Sequence, residues 1–124
     1  MRVKESEHEV ITIEMSHLDY LIIENVKRLR SERGLSQIVL TQLMGLSEGF
    51  IGKVELYTNR TKYNIRHIHL LAKALQCSIQ EILPEKQPEY DIVRLTLKRS
   101  NKRNKDGRLS PKKSTEILKI EPVK

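Results

Sequence analysis

The chain has 124 residues, and its 23 Lys and Arg outnumber 16 Asp and Glu to give a formal net charge of +7. This length suits one domain with short appendages, and the charge favours a polyanionic partner without identifying one. No run of about 18 apolar residues occurs, and the first ten residues are too charged for a signal peptide, so we expect a cytoplasmic protein without a membrane partner. Cys77 has no second cysteine with which to form an internal disulfide, and we interpret it as a packing residue.

The first predicted element is a short strand over residues 9–15, where apolar and polar residues alternate. A helix is expected to follow, capped by Ser16 with Asp19 as a capping-box variant and ended by Gly34. Its apolar residues recur at spacings of four, four and three, which predicts an amphipathic helix. They are Leu18, Ile22, Val26 and Leu29.

Residues 36–57 have the pattern of two short helices joined by a tight turn at Gly45. Ser36 is the predicted cap of the first helix and Ser47 that of the second. Apolar residues stand where two steeply crossing helices need contacts, at Leu40, Met44, Leu46, Ile51 and Val54. The outward face of the second helix is then free to enter a groove of DNA. The alternative is an ordinary helical hairpin inside another all-helical protein.

Two more helices are predicted after a polar loop at residues 58–63. Asn64 is the expected cap of the first, and Ser78 caps a last short helix that runs through Leu83. The apolar stripe of the longer helix is predicted to comprise Ile65, Ile68, Ala72 and Leu75.

The C-terminal part changes character after a linker bracketed by Pro84 and Pro88. Residues 90–98 and 115–121 alternate at period two, which predicts a hairpin that could form a three-stranded sheet with residues 9–15. The predicted tip, residues 98–113, carries eight Lys or Arg and one Asp. Two interpretations stay open for this tip: a solvated loop, or an arm that contacts phosphates.

Four sequence segments resemble those of a known family: NVKRLRSERGLSQ (25–37), MGLS (44–47), FIGKVE (50–55) and HLLAKALQCSIQEIL (69–83). Over residues 23–84 the chain resembles the phage-repressor type of helix-turn-helix domain, the Cro and lambda-repressor-like or xenobiotic-response-element family. The resemblance implies a mainly α fold, a five-helix domain that binds duplex DNA. We expect three parts: an N-terminal extension with a strand (1–16), this domain (17–84), and a basic β-hairpin extension that serves dimerisation (85–124).

The resemblance implies that DNA contacts come from the two motif helices and the loop after them. Gln37 matches a glutamine that binds a phosphate at the start of the second helix. Arg60 and Lys62 follow the recognition helix and would bind a phosphate on its other side. Lys53 would donate to guanine or a phosphate, and Glu48 would accept from cytosine or complement the helix dipole. The predicted set is Ser36, Gln37, Ser47, Glu48, Gly49, Phe50, Lys53, Arg60 and Lys62.

Three residues of this region leave questions open. Phe50 would either pack a thymine methyl or lie inside the domain. Gly49 and Gly52 depart from the family's usual polar residues, and each costs about 1 kcal/mol relative to Ala inside a helix. They would weaken base readout, permit close approach of the backbone, or shift specificity to DNA shape.

Arg30 and Glu55 match two positions that form an ion pair in similar domains, so we expect a partly buried salt bridge between the first and third helices.

The remaining residues favour neither an enzyme nor a metal or cofactor site. The histidines, His8, His17, His67 and His69, have no cysteine or carboxylate cluster beside them to complete a zinc site. No nucleophile–base pair or phosphate-binding glycine loop is recognisable. Two functions remain: a dimeric transcription regulator on double-stranded DNA, and an antitoxin-like module that binds a toxin through residues 89–121 and also its own promoter.

Overall fold

The structure is a computed structural model that describes the backbone of residues 8–103 and 109–124, and their side chains outside 101–113. The chain divides into a helical unit, Ser16–Asp91, and a sheet unit formed by the segments on either side of it. The described elements are β1 (His8–Ser16), α1 (His17–Glu32), α2 (Gln37–Met44), α3 (Phe50–Glu55), α4 (Ile65–Leu75), α5 (Ile79–Ile82), β2 (Ile92–Arg103) and β3 (Leu109–Pro122).

The expected five-helix domain is present, but the description "mainly α" is only partly confirmed. The three strands have 9, 12 and 14 residues, so the sheet is a substantial second part of the fold. No described helix combines the length and the apolar character that crossing a bilayer requires.

Helix α1 begins as predicted and packs by a slightly different face. The Ser16 hydroxyl accepts a hydrogen bond from the Asp19 backbone N–H at 3.1 Å, which satisfies one of the free donors of the first turn. Ile22, Val26 and Leu29 are buried as expected. The prediction for Leu18 was wrong, because this residue is 43% exposed and Ile23 is buried instead.

The core of the helical unit lies between α1, the motif helices α2 and α3, and the last two helices. Leu40, Met44, Ile51 and Val54 are buried, and Leu46 is partly buried against the same cluster, as the spacing predicted. Cys77 also packs against this cluster in a partly buried position. The motif therefore stands on a packed support.

Helix α4 is capped as predicted, although its buried face is rotated from the expected one. The Asn64 side chain accepts from the His67 backbone N–H at 2.9 Å. Ile65 was predicted to be buried and is 92% exposed. Ala72 and Leu75 are buried as predicted, and His67 and Leu71 complete the buried face, whereas Ile65, the first residue of the helix, stays outside the core. Ser78 caps α5 as predicted.

The sheet has the order β1-β2-β3 and is antiparallel. Its β2–β3 ladder runs from Val93↔Pro122 through Ser100↔Ser114 to Arg103↔Leu109, with a register shift between Thr96 and Leu97. The prediction of a loop over 98–113 was therefore wrong for 98–103 and 109–113, while residues 104–108 lie outside the described part. Backbone pairing needs no apolar side chains, so it continues into a segment whose polar sequence suggested a loop.

Exposed ion pairs join the strands of the sheet unit. Arg94 pairs with Glu14 of β1 at 2.9 Å and with Glu121 of β3 at 3.6 Å, and the Arg99 guanidinium lies 3.8 Å from Glu9. Opposite charges across a strand pair favour one register, although each exposed pair adds little to stability.

Candidate nucleic-acid interface

The tight turn between α2 and α3 depends on two glycines with positive φ. Gly45, the C-cap of α2, has φ 71°, as the predicted turn requires. Gly49 has φ 84° and occupies the N-cap position of α3. The prediction that Ser47 caps this helix was wrong, because α3 begins at Phe50 and Ser47 contributes only its carbonyl, which accepts from the Phe50 N–H at 3.1 Å. Gly49 thus lies before the helix, at a position whose left-handed backbone conformation favours glycine.

The start of α3 is capped by a side chain of the neighbouring helix. The buried Thr41 hydroxyl of α2 donates to the Gln37 carbonyl at 2.8 Å and accepts from the Ile51 N–H at 3.2 Å. The Ile51 N–H would otherwise be an unsatisfied buried donor in the first turn of α3. Sequence reasoning missed this role of Thr41, since a cap supplied from another helix leaves no local signal.

The other end of α3 is held by a charged network, and the predicted salt bridge is confirmed. Two guanidinium nitrogens of Arg30 contact the two oxygens of Glu55, at 3.0 Å and 2.8 Å. A third nitrogen donates to the Leu35 carbonyl at 2.9 Å. The Gln37 amide also donates to Glu55, at 2.8 Å. This nearly buried carboxylate therefore joins α1, α2 and α3.

The Gln37 side chain is directed toward α3 in this arrangement. Besides the bond to Glu55, its carbonyl oxygen lies 3.4 Å from the point where a Cβ on Gly52 would stand. That distance is an ordinary van der Waals contact, so Gly52 leaves a narrow space beside the Gln37 amide. The predicted phosphate contact of the Gln37 side chain stays a prediction.

Phe50 packs within the helical unit, which is one of the two alternatives derived from the sequence. Its ring centroid lies 4.5 Å from that of His67 and 6.0 Å from that of Tyr63. Burial, and secondarily Glu55, raises the pKa of Tyr63 well above its usual range. The contact of Phe50 with DNA stays a prediction for the part of this residue that remains accessible.

His67 connects the start of α4 to the start of α3. Its Nδ1 accepts from the Asn64 backbone N–H at 3.0 Å, so the ring forms half of a capping box and also packs on Phe50. Burial lowers the pKa of His67, and the neighbouring cation Arg66 lowers it further. The neutral ring is the form that can accept this hydrogen bond.

The predicted contact residues differ in their accessibility. Ser36, Gln37, Ser47, Glu48, Gly49, Lys53 and Arg60 are exposed. Lys62 is partly buried, and its ammonium donates to the Asn59 carbonyl at 2.6 Å. Burial lowers the pKa of Lys62, and Asp19 partly offsets this effect. The structure thus presents Lys53 and Arg60 openly and holds Lys62 against the loop.

A shallow cavity of about 280 Å³ lies between α2 and the turn before α3. Ile38, Gln42 and Leu46 line it together with Thr41, Glu48 and Gly49. Ile38 is 64% exposed, and Leu43 on the same helix is 55% exposed. Sequence patterns provided no signal for a role of Ile38 or Leu43, since neither belongs to the apolar spacing of the motif.

Comparison with known proteins identifies the motif. A sequence model of the Cro/C1-type helix-turn-helix DNA-binding domain matches residues 25–84. The chain belongs to this family. It is a DNA-binding protein of the lambda-repressor-like, transcription-regulator type. No curated protein matches the chain.

Three solved structures are similar to parts of this family member. A hypothetical transcription factor from Neisseria is 28% identical, over 54% of this chain and 75% of its own, with a TM-score of 0.46. A restriction-modification controller protein from Aeromonas hydrophila is 30% identical, over 51% and 92%, with a TM-score of 0.45. A transcriptional regulator from Vibrio cholerae is 18% identical, over 70% and 61%, with a TM-score of 0.46.

Within residues 8–103 and 109–124, no three His, Cys, Asp or Glu side chains come together in a way that could hold a metal ion.

Proposed function

We propose that this Cro/C1-type protein is a transcription regulator that binds a specific duplex site as a dimer, with residues 47–57 in the major groove. One observation carries the proposal: α3 is held at both ends, by Thr41 and by the Arg30–Glu55 pair, while Lys53 stays exposed. A helix immobilised in this way can present its outward side chains to base edges in a defined geometry.

The proposed contacts divide into base readout and phosphate binding. Ser47, Glu48 and Lys53 would face base edges, and the exposed Gly49 would let the backbone approach the DNA closely. Ser36 and the free N–H groups at the start of α2 would bind one phosphate, with Gln37 beside them. Arg60 would bind a phosphate past the other end of α3, and Lys62 could join it after leaving the Asn59 carbonyl.

We assign dimerisation to the C-terminal part of the chain, residues 85–124, as an extension of the helix-turn-helix domain at 17–84. A symmetric pair would present two copies of α3 to successive major grooves, about 34 Å apart, so the preferred site should be nearly palindromic.

The decisive experiment is selection of bound fragments from random duplex DNA, followed by sequencing. A palindromic consensus is expected, and Lys53→Ala should reduce affinity for it without changing the unfolding midpoint. With about 6–10 phosphates contacted, affinity should fall roughly 10³- to 10⁵-fold between 50 and 200 mM salt. Absence of any enriched sequence together with a flat salt dependence would refute the proposal.

A second function, an antitoxin-like module, is supported by the open edges of the sheet. Strands β1 and β3 are the outer strands, and Leu118 and Ile120 of β3 are 49% and 41% exposed. A toxin could add a strand at such an edge, within residues 89–121, while the helical unit binds the promoter. Light scattering separates the two functions, since a stable folded dimer of the free chain favours the first and a poorly folded free chain favours the second.

A further inference from the structure

The net positive charge of this protein is concentrated in one segment of the sheet unit. Residues 98–113 contain eight Lys or Arg and one Asp, so their net charge of +7 equals the formal net charge of the whole chain. The chain has 23 Lys or Arg and 16 Asp or Glu, so the rest of it holds 15 of each sign. An attraction to a polyanion that depends on net charge must therefore come from this segment.

The backbone of this segment forms paired strands. The register continues through Arg99↔Thr115, Ser100↔Ser114, Asn101↔Lys113 and Arg103↔Leu109. We call residues 98–103 and 109–113 the basic ribbon, which carries six Lys or Arg and no Asp or Glu. At about 3.3 Å per residue, the part of β2 in the ribbon extends for about 20 Å. Strand pairing gives these cations a regular spacing that an irregular loop would not provide.

The charges of the sheet are balanced before the basic ribbon and unbalanced within it. Arg94 contacts Glu14 at 2.9 Å and Glu121 at 3.6 Å. Farther along the ladder, Lys98 lies opposite Glu116, and beyond this pair none of the described register partners is acidic. Like charges on neighbouring strands disfavour their pairing, so the ribbon is stabilised when an external anion neutralises it.

The composition of the segment suits a nucleic acid better than a membrane or a protein. Apart from Leu109 and Pro111, residues 98–113 have no apolar side chain to insert into a lipid interface. Lys, which is depleted at protein–protein interfaces, supplies five of the eight cations. The major groove of duplex DNA is about 12 Å wide and admits a two-stranded ribbon. The same chain carries a Cro/C1-type DNA-binding domain, which brings the ribbon close to a duplex.

We propose that the basic ribbon is a second DNA-binding element, which lies along duplex DNA and binds its phosphates without reading the sequence. The proposal goes beyond the proposed function, because it requires neither a specific site nor a dimer. The cations of both strands replace counterions condensed on the duplex, and the release of those ions favours binding. With two elements on one chain, DNA held by the ribbon stays at a high effective concentration near α3.

The test compares two fourfold variants of the full chain, each of which lowers the net charge from +7 to +3. The ribbon variant carries Lys102→Gln, Arg103→Gln, Lys112→Gln and Lys113→Gln. The control variant carries Lys73→Gln, Lys86→Gln, Lys119→Gln and Lys124→Gln, all at exposed positions outside the proposed contacts. Affinity is measured from 50 to 200 mM salt on the selected duplex and on an unrelated one.

The ribbon variant should bind both duplexes at least about tenfold more weakly at 50 mM salt. Its slope of log affinity against log salt should fall by about 2–4, since each lost phosphate contact contributes about 0.9. The control variant should change the slope by less than about 1. The melting temperature of the ribbon variant should equal or exceed that of the wild type, because repulsion between the strands is removed. Lys112→Gln combined with Lys113→Gln should give about half the change in slope, which keeps the test valid if the fourfold variant fails to fold.

The outcomes separate this proposal from the proposed function. Equal salt slopes of the ribbon and control variants would overturn the role of the ribbon and leave the regulator proposal intact. A loss of affinity confined to the selected duplex, or a ribbon variant that is monomeric where the control variant is dimeric, would also overturn it. So would tighter ribbon-dependent binding to vesicles containing phosphatidylserine than to either duplex. If both duplexes bind equally well and the slope depends on the ribbon, the ribbon proposal stands and specific regulation fails. If the wild type binds neither duplex, both proposals fail.

Discussion

The helical unit and the sheet unit use ion pairs in opposite ways. Arg30 and Glu55 are held in a nearly buried network that also engages Gln37 and the Leu35 carbonyl. Arg94 contacts Glu14 and Glu121 on the open surface of the sheet. A buried carboxylate that loses its cation cannot turn to water, whereas exposed partners can. Charge in the helical unit therefore fixes the position of α3, and charge in the sheet unit mainly favours one strand register.

The largest expected effect comes from breaking the buried pair. Glu55→Gln should destabilise the protein by about 3–5 kcal/mol, since Arg30 would remain mostly buried without a counter-charge. Urea unfolding measures this change. Arg94→Gln is the matched variant in the sheet unit, and its unfolding midpoint should stay close to that of the wild type. Equal effects of the two variants would show that burial does not distinguish the two pairs.

Thr41→Val tests how much the Thr41 hydroxyl contributes to the stability of the protein, compared with the Arg30–Glu55 network. The valine keeps the size of the side chain but leaves the Ile51 N–H without its acceptor, so a loss of about 1–3 kcal/mol is expected in urea unfolding. Thr41→Ser retains the hydroxyl and should lose clearly less. A valine variant as stable as the serine variant would mean that the hydrogen bond to Ile51 is unimportant.

Gly49, at the N-cap of α3, and Gly52, inside α3, should change stability in opposite directions when each is replaced by alanine. Gly49→Ala should cost about 1–2 kcal/mol, because φ is 84° and a Cβ is strained there although the space is open. Gly52→Ala should be neutral or stabilising by up to about 1 kcal/mol, since the helix gains propensity and the new methyl meets only the Gln37 side chain. Thermal unfolding of both variants gives the comparison. Similar losses of stability in both variants would contradict the explanation that the positive φ of Gly49 distinguishes it from Gly52.

The smallest expected effect is a pH dependence from His67. Because its pKa is lowered in the folded protein, the unfolded chain takes up the proton first as pH falls. The stabilising contribution is thus complete above the ordinary pKa of 6.5 and declines as pH falls from there through the folded-state pKa. Urea midpoints between pH 5 and 8 should show this decline, and His67→Gln should reduce it. His69→Gln, on the exposed side of α4, should leave it unchanged.

Local sequence rules predicted the parts of the fold that depend on near neighbours. Ser16, Ser36, Asn64 and Ser78 cap their helices because each side chain needs only a backbone N–H three residues away. The salt bridge of Arg30 came from the family resemblance. These successes concern contacts that short patterns encode or that related domains share.

The errors arose where a distant group decides the outcome. Ser47 lost its capping role because Thr41, on the preceding helix, supplies the acceptor for α3. Ile65 was expected to be buried but is exposed, and Leu71 is buried, because the spacing of apolar residues in α4 fits two overlapping faces. Only tertiary packing selects one of them. The hairpin was longer than expected because strand pairing past Lys98 depends on the partner strand. Which exposed residues bind DNA stays a prediction.

The bridge that Thr41 makes between the motif helices constrains any attempt to retarget this protein. An engineer who exchanges the outward residues of α3 for those of another regulator would keep Ile51 and Val54 for packing. The geometry of the grafted helix would still depend on a hydroxyl ten residues before Ile51, in a helix left untouched. The transferable module is therefore the helix pair, and redesign should treat residues 37–55 as one piece.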